Sequence, residues 1–387
     1  MSFDPAAATK AMIDALGPEA LARAANYTAG NHWMLLWGLV VSAAVTWVIV
    51  RLGLLDRWHS VLASRGERVR TFLTCAGFFI LSATLSLPWG VYEEWGRERS
   101  YGRTNQPLGD FLVQDAIGIG ITALLGGLFF LGVYALIRRS GRRWWLWSGG
   151  LAAVAALFML LLAPVLIEPL FNDYKPVPAG PVRDAVVVMA ADADIPAERI
   201  YVFDGSRQSN NFTANVSGIG ASARIALSDV ALTTASLDEV KAVTGHEIGH
   251  YVLGHVWRWA VLLPLLAMAF FFLADRLYAP VARLFGSSAA IGDARGLPVL
   301  MFAVGVLATL ATPVTNAFTR IGEREADAYS LRTVNLPDAL ASALVKTAEY
   351  RYPRPHPVQE TLFYTHPSVE RRVRAAMDWK AAHPPQR

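Results

Sequence analysis

The chain has a single cysteine, Cys75, in 387 residues, and only 17% of its residues are charged, where soluble domains carry nearer about 25%. One cysteine excludes an intrachain disulfide and a cysteine-rich metal site, and it says nothing of redox compartment. Residues 1–31 lack an apolar core preceded by basic residues, so no signal peptide is expected there. Residues 4–25 read instead as a short amphipathic helix lying at a membrane interface. Internal repeats and low-complexity tracts are also absent. The net charge of +4 comes mostly from arginines at the ends of apolar runs. That is a pattern of membrane topology, and nucleic acid is excluded as a partner.

What the chain does have is apolar sequence, 54% of all residues. Residues 33–50, 72–92, 117–137, 144–167 and 297–319 carry no charge, and the shorter run 259–274 is equally bare. A membrane-crossing helix needs roughly 20 such residues. One such run alone could be a buried core helix; six together predict six spans and a lipid bilayer as the surroundings. The expected fold is mostly α: a multi-pass helical membrane protein of six or seven spans. A small α+β domain is inserted between spans four and five and completed by the C-terminal helices. Residues 1–167 form the N-terminal membrane part. Residues 168–387 form the second part, including spans at about 257–275 and 297–319.

Within the region after the fourth run, residues 181–191 read as a helix, and 199–203 and 223–228 as short strands. Residues 209–220, rich in Asn, Ser and Gly, read as a loop or an irregular edge strand. Ser236 with Glu239 three residues on forms a capping box that opens a helix. That helix carries His246-Glu247-Ile248-Gly249-His250 and runs towards the fifth apolar run. Positions i and i+4 share one helical face, so both imidazoles can reach one metal ion. The glutamate between them can take a proton from a water. A zinc site with two histidines needs a third protein ligand and leaves a fourth position open. Glu323, in Gly322-Glu323-Arg324-Glu325-Ala326-Asp327, is the candidate, and Asp327 four residues on can accept from the free ring nitrogen of a ligand histidine. Glu325 points elsewhere and is expected to be solvated. The two helices border successive spans, so both sets emerge on the same side of the membrane.

With these residues in hand, the chain resembles the type I CAAX prenyl proteases, integral-membrane zinc endopeptidases related to HtpX-type proteases. Leu87-Pro88-Trp89 and Tyr101-Gly102-Arg103-Thr104-Asn105-Gln106-Pro107-Leu108-Gly109 look like the family's signature ahead of the catalytic region. Glu168-Pro169-Leu170-Phe171-Asn172 resembles its entry into the soluble domain, and Ile200-Tyr201-Val202-Phe203-Asp204-Gly205-Ser206-Arg207 its strand segment. Thr244 to Tyr251 resembles the metal helix, Thr319-Arg320 with Glu323 to Tyr329 the third-ligand helix, and Thr365-His366-Pro367-Ser368 with Glu370-Arg371 the C-terminal signature.

The resemblance implies one zinc ion per chain on His246, His250 and Glu323, with Glu247 as general base. It implies that His366 stabilises the oxyanion and that Arg371 supports the site. Taken by itself, a histidine beside a proline is more often a surface residue. The resemblance further implies that Asn211, Phe212, Thr213, Ala214 and Asn215 pair with an extended peptide. That segment lacks the family's usual Ser-Asn-Ala-Tyr run, and eukaryotic members have seven spans. The partners implied are peptide or protein substrates, lipidated or membrane-embedded. The Arg/Ala-rich composition and short insert point to a bacterial inner membrane. The loops after the first, third and fifth runs hold most of the arginines, and the positive-inside rule puts them in the cytoplasm. The site would then face outward, whereas the family resemblance implies a cytosolic face. A catalytically inactive zinc-binding membrane scaffold or sensor is the alternative reading; it would have no need of Glu247.

Overall fold

The computed structural model describes residues 3–384; the outermost ends of the two expected domains, 1–2 and 385–387, lie outside the described residues. The chain opens with α1 (Pro5–Asp14), α2 (Gly17–Arg51), α3 (Leu54–Val61) and α4 (Glu67–Gly90). The short α5 (Arg97–Ser100) and the long α6 (Leu108–Ser140) and α7 (Trp144–Leu162) follow. Among the described residues, five helical runs are long and apolar enough to cross a membrane, the third being the 63-residue stretch Leu108–Leu170. That stretch turns at Gly141–Arg143, where Gly141 has φ 50, and so comprises two helices, α6 and α7. Leu151 of α7 lies against Gly132 of α6. Counted as separate helices, the long apolar segments number six; a seventh is not found among the described residues. Their outer faces carry Trp33, Trp37, Val154, Phe158, Leu310 and Val314 exposed, as lipid-facing surfaces do.

The interface helix expected over residues 4–25 is corrected by the structure. The chain breaks after Asp14, and α2 starts at Gly17 (φ 80) and continues through the first span. Ile13 of α1 is fully buried, and Ala8 and Met12 pack on the apolar cluster of the C-terminal helices. Asp14 is paired with Arg354 at 2.8 Å. The apolar stripe of α1 is thus spent on protein, not on lipid.

Beyond the membrane part come β1 (Tyr174–Pro176), α8 (Pro181–Ala191), β2 (Ile200–Phe203), β3 (Ala214–Ser217), β4 (Arg224–Ser228), α9 (Asp229–Thr234) and α10 (Leu237–Val252). The strands form one sheet in the order β1-β2-β4-β3, with β2 and β4 parallel and the outer pairs antiparallel. β3 is therefore an edge, with one side unpaired. Apolar residues of β2 and β4 (Ile200, Ile225, Leu227) pack with Val186 of α8 and Val240 and Ile248 of α10.

The chain then re-enters the apolar bundle as α11 (His255–Phe285) and leaves it as α12 (Leu297–Thr333). It closes with α13 (Pro337–Lys346), α14 (Pro357–Phe363) and α15 (Val369–Ala382). At the bundle end remote from the sheet, Arg138 pairs with Glu67 at 3.2 Å and Arg295 with Asp56 at 3.4 Å, which gathers the arginine-rich loops together.

Candidate metal centre

α10 begins at the expected capping box: Ser236 Oγ accepts from the Glu239 amide at 3.2 Å, and the Glu239 carboxylate accepts from the Ser236 amide at 2.7 Å. Two glycines let α10 approach α12. A Cβ on Gly249 would lie 3.0 Å from Tyr329 Cβ and 3.2 Å from Ala326 Cα, and one on Gly245 would lie 2.5 Å from Val334 Cγ2. This close crossing sets the histidines of α10 against the carboxylates of α12.

His246 Nε2 and His250 Nε2 are 3.1 Å apart. Glu323 Oε2 is 3.4 Å from His246 Nε2, and Glu323 Oε1 is 3.4 Å from His250 Nε2. Among the described residues, these three form a group of donors close enough to share one ion. Zinc bonds of about 2.0–2.2 Å in tetrahedral geometry separate neighbouring donors by about 3.3–3.6 Å; the two distances to Glu323 fall in that range, and the histidine pair lies slightly inside it at 3.1 Å. Glu323 Oε2 is buried and makes no hydrogen bond, with His246 Nε2 and Arg372 Nη2 each 3.4 Å away. Burial works to lower the His246 pKa, but the neighbouring carboxylates of Asp327 and Glu323 outweigh it and hold it up to about 10. The site favours positive charge, which a divalent cation supplies.

The outer nitrogens are tied down. His246 Nδ1 donates to Asp327 Oδ1 at 2.9 Å. Arg372 grips Asp327 in turn, Nε to Oδ2 and Nη2 to Oδ1, both at 2.7 Å. The contact to the ligand set is thus made by Arg372, while Arg371 pairs with an acidic neighbour elsewhere. Arg371 is 64% exposed and faces Glu360 at 3.3 Å. Arg372 is 8% exposed and shares the inner face of α15 with Val369, Val373 and Ala376. A helix turns 3.6 residues at a time, and the apolar spacing 369, 373, 376 already put position 372 inside and 371 outside.

His250 Nδ1 lies 2.8 Å from His255 Nδ1, and His255 Nε2 lies 2.9 Å from Glu325 Oε2, which also accepts from Arg258. Neither His255 nor this role for Glu325 was expected; Glu325 is paired rather than merely solvated. The motif helix does not run on into the fifth span. It stops at Val252, and Gly254 (φ 66) turns the chain so that His255 opens α11 beside His250. A glycine just past a helix is a stop signal readable in sequence, but the contact it makes is not.

Glu247 is half-buried beside the ligand cluster. Burial raises its carboxyl above the ordinary value, against the opposing pull of His246 and His250. His366 reaches the cluster from the loop before α15, with Nε2 3.2 Å from Glu323 Oε1. Burial and the nearby Arg351 guanidinium bring its pKa down to about 3, so the ring is neutral. With Nδ1 against Thr365 Oγ at 2.8 Å, its Nε2–H is the edge turned to the site. Asn211, Phe212 and Thr213 precede β3, and Ala214 and Asn215 lie in it. Thr213 is anchored inward, its amide donating to Ser228 Oγ at 3.1 Å.

The peptidase part of the chain, residues 176–380, matches Peptidase family M48, and residues 5–173 match the CAAX prenyl protease N-terminal family, described as five membrane helices. The chain belongs to peptidase family M48. An uncharacterized metalloprotease of Bacillus subtilis, YhfN, is 31% identical over 316 residues, covering 79% of this chain and 74% of that one. The CAAX prenyl protease 1 homolog of Homo sapiens is 27% identical over 362 residues, covering 80% and 73%. The crystal structure of S. mikatae Ste24p shares the fold, with a TM-score of 0.76 at 19% identity over 93% of this chain and 89% of that one. This M48 chain is thus an integral-membrane metallopeptidase, a hydrolase of peptide bonds. Across the N-terminal match it has four long apolar helices, α2, α4, α6 and α7, preceded by the 10-residue α1.

Proposed function

We propose that the protein is a zinc-dependent endopeptidase holding one Zn2+ on His246, His250 and Glu323. The observation that carries this reading is the triangle of donor atoms 3.1–3.4 Å apart with Glu247 beside it. When bound there, zinc supplies a Lewis acid that polarises a peptide carbonyl and acidifies water. Glu247 takes the proton of the attacking water and passes it to the leaving amine. The raised affinity of its carboxyl for protons suits that shuttle. His366, neutral with Nε2–H turned to the site, donates to the oxygen of the carbonyl under attack. Asp327, held by Arg372, keeps the His246 proton on Nδ1 and leaves Nε2 free for the metal. The substrate lies extended along the open edge of β3, where backbone pairing reads shape more than sequence.

The substrates we assign are lipidated or membrane-embedded polypeptides. The relatives named CAAX prenyl proteases support the lipidated class, and the apolar helices around the site support the second. The bacterial relative supports placement in a bacterial inner membrane. The gathered arginine loops support an orientation with that end in the cytoplasm and the metal centre outward. A reporter fused after the C-terminus checks it: alkaline phosphatase should be active there, and cytoplasmic fluorescence of a fused green fluorescent protein would contradict the orientation.

The function itself is tested on detergent-purified protein. Zinc should be present near one per chain, chelation should abolish cleavage of a quenched fluorescent peptide, and added zinc should restore it. Cleavage that survives complete metal removal contradicts the reading.

A further inference from the structure

α12 leaves the apolar bundle at a cluster of arginines. Its uncharged run, residues 297–319, rises about 35 Å as a helix, slightly more than the roughly 30 Å of a bilayer's hydrocarbon core. Arg320, the next residue, therefore stands at the level of the lipid headgroups, with Arg324 one turn beyond it. Leu310, Val314 and Ile321 of the same helix are exposed, as are Ala317 and Arg324. These five follow one another at spacings of four and three, so they form one stripe of the helix. The stripe is apolar from Leu310 to Ile321 and ends in a cation. The exposed Leu362 of α14 runs beside it: Asn316 Nδ2 donates to the Leu362 carbonyl at 3.0 Å.

Where the stripe ends, Arg320, Ile321, Arg324, Glu360 and Arg371 line a cavity of about 460 Å3, with Asp327 and Arg372 in its wall. Asp327 and Arg372 neutralise each other. Of the other three arginines, Arg371 faces Glu360 at 3.3 Å. Arg320 donates through Nη1 alone, to the carbonyls of Glu360 and Tyr364. Among the described residues, Arg324 has neither an ion pair nor a hydrogen bond. Three guanidiniums against one carboxylate leave an excess of two positive charges. Guanidinium forks match the oxygens of a phosphate, and the apolar stripe leading up to them identifies what carries that phosphate. An acyl chain fits the exposed stretch from Leu310 to Ile321, and a headgroup at its end meets the arginines.

We propose that this cavity binds an anionic phospholipid, its phosphate on Arg320, Arg324 and Arg371 and an acyl chain along the exposed stripe of α12. A phospholipid whose headgroup amine cancels the phosphate charge is the poorer ligand. The test uses the full-length protein in neutral detergent. Phosphatidylglycerol and phosphatidylcholine with the same acyl chains are titrated in, and bound lipid is counted by native mass spectrometry. The first phosphatidylglycerol should bind about 10- to 30-fold more tightly than the first phosphatidylcholine, from about 1 kcal/mol per excess cation. Arg324→Gln should weaken phosphatidylglycerol about fivefold and leave phosphatidylcholine and the melting temperature unchanged. Arg276→Gln, an exposed arginine of α11 outside the cavity, should leave both lipids unchanged. Glycerophosphoglycerol, the headgroup without chains, should not displace the lipid at equal concentration. Equal binding of the two lipids, a preference undiminished in Arg324→Gln, or an equal loss in Arg276→Gln overturns the proposal. Displacement by the bare headgroup also overturns it, because the site would then take a soluble anion. If Arg324→Gln does not fold, the comparison of the two lipids on the parent protein still decides it.

Discussion

Arg372 holds Asp327 through two parallel hydrogen bonds of 2.7 Å, and Asp327 holds His246. The three are buried, so the pair is an ion pair whose partners depend on each other. Removing one partner of a buried pair leaves the other charge uncompensated, at about 3–5 kcal/mol. Arg372→Met should therefore lower unfolding stability by that order and weaken zinc binding about 10- to 100-fold. Arg371→Ala, one position away and largely exposed, loses only a partly solvated pair with Glu360 and should cost about 1 kcal/mol while leaving zinc affinity unchanged. Thermal unfolding and chelator competition on the two variants check the contrast; equal effects would contradict it.

The second histidine is anchored differently. Its Nδ1 reaches a carboxylate only through His255. His255→Phe keeps the volume but leaves the His250 N–H without an acceptor, and should weaken zinc affinity about 10- to 100-fold. His255→Gln, which can still accept, should recover much of that loss. An unchanged zinc affinity in His255→Phe would show that His250 needs no support from this side.

The crossing of α10 and α12 depends on Gly249. Alanine there gains about 1 kcal/mol of helix propensity but meets Ala326 Cα at 3.2 Å. Displacing packed backbone costs about 1–3 kcal/mol, and the displacement opens the gap between the histidines and Glu323. Gly249→Ala should cost zinc affinity at least tenfold with little change in melting temperature. Tight zinc binding in that variant would place the clearance elsewhere.

The bundle was legible because lipid-spanning helices must be long and bare of charge. The inserted domain was legible in part. Its capping box and the strands Ile200–Phe203 and Arg224–Ser228 follow from local pattern, whereas β1, three residues long, leaves no periodic signal. The approach of His246, His250 and Glu323 was legible because spacing four apart fixes a helical face. What was not legible depends on tertiary contacts. α1 has the pattern of an interface helix, and only the presence of α13 and α15 decides that it packs on protein. The exchange of Arg371 for Arg372 is a matter of helix phase, which the apolar residues of α15 carry. The contact of His255 with His250 depends on how a single turn at Gly254 redirects the chain.

The central claim, that Glu247 is the base of a zinc peptidase, is tested most directly by Glu247→Gln, with zinc content and peptide cleavage measured on one preparation. Zinc should remain near one per chain while the cleavage rate falls at least about 100-fold. Cleavage at the parental rate with zinc retained would contradict the account.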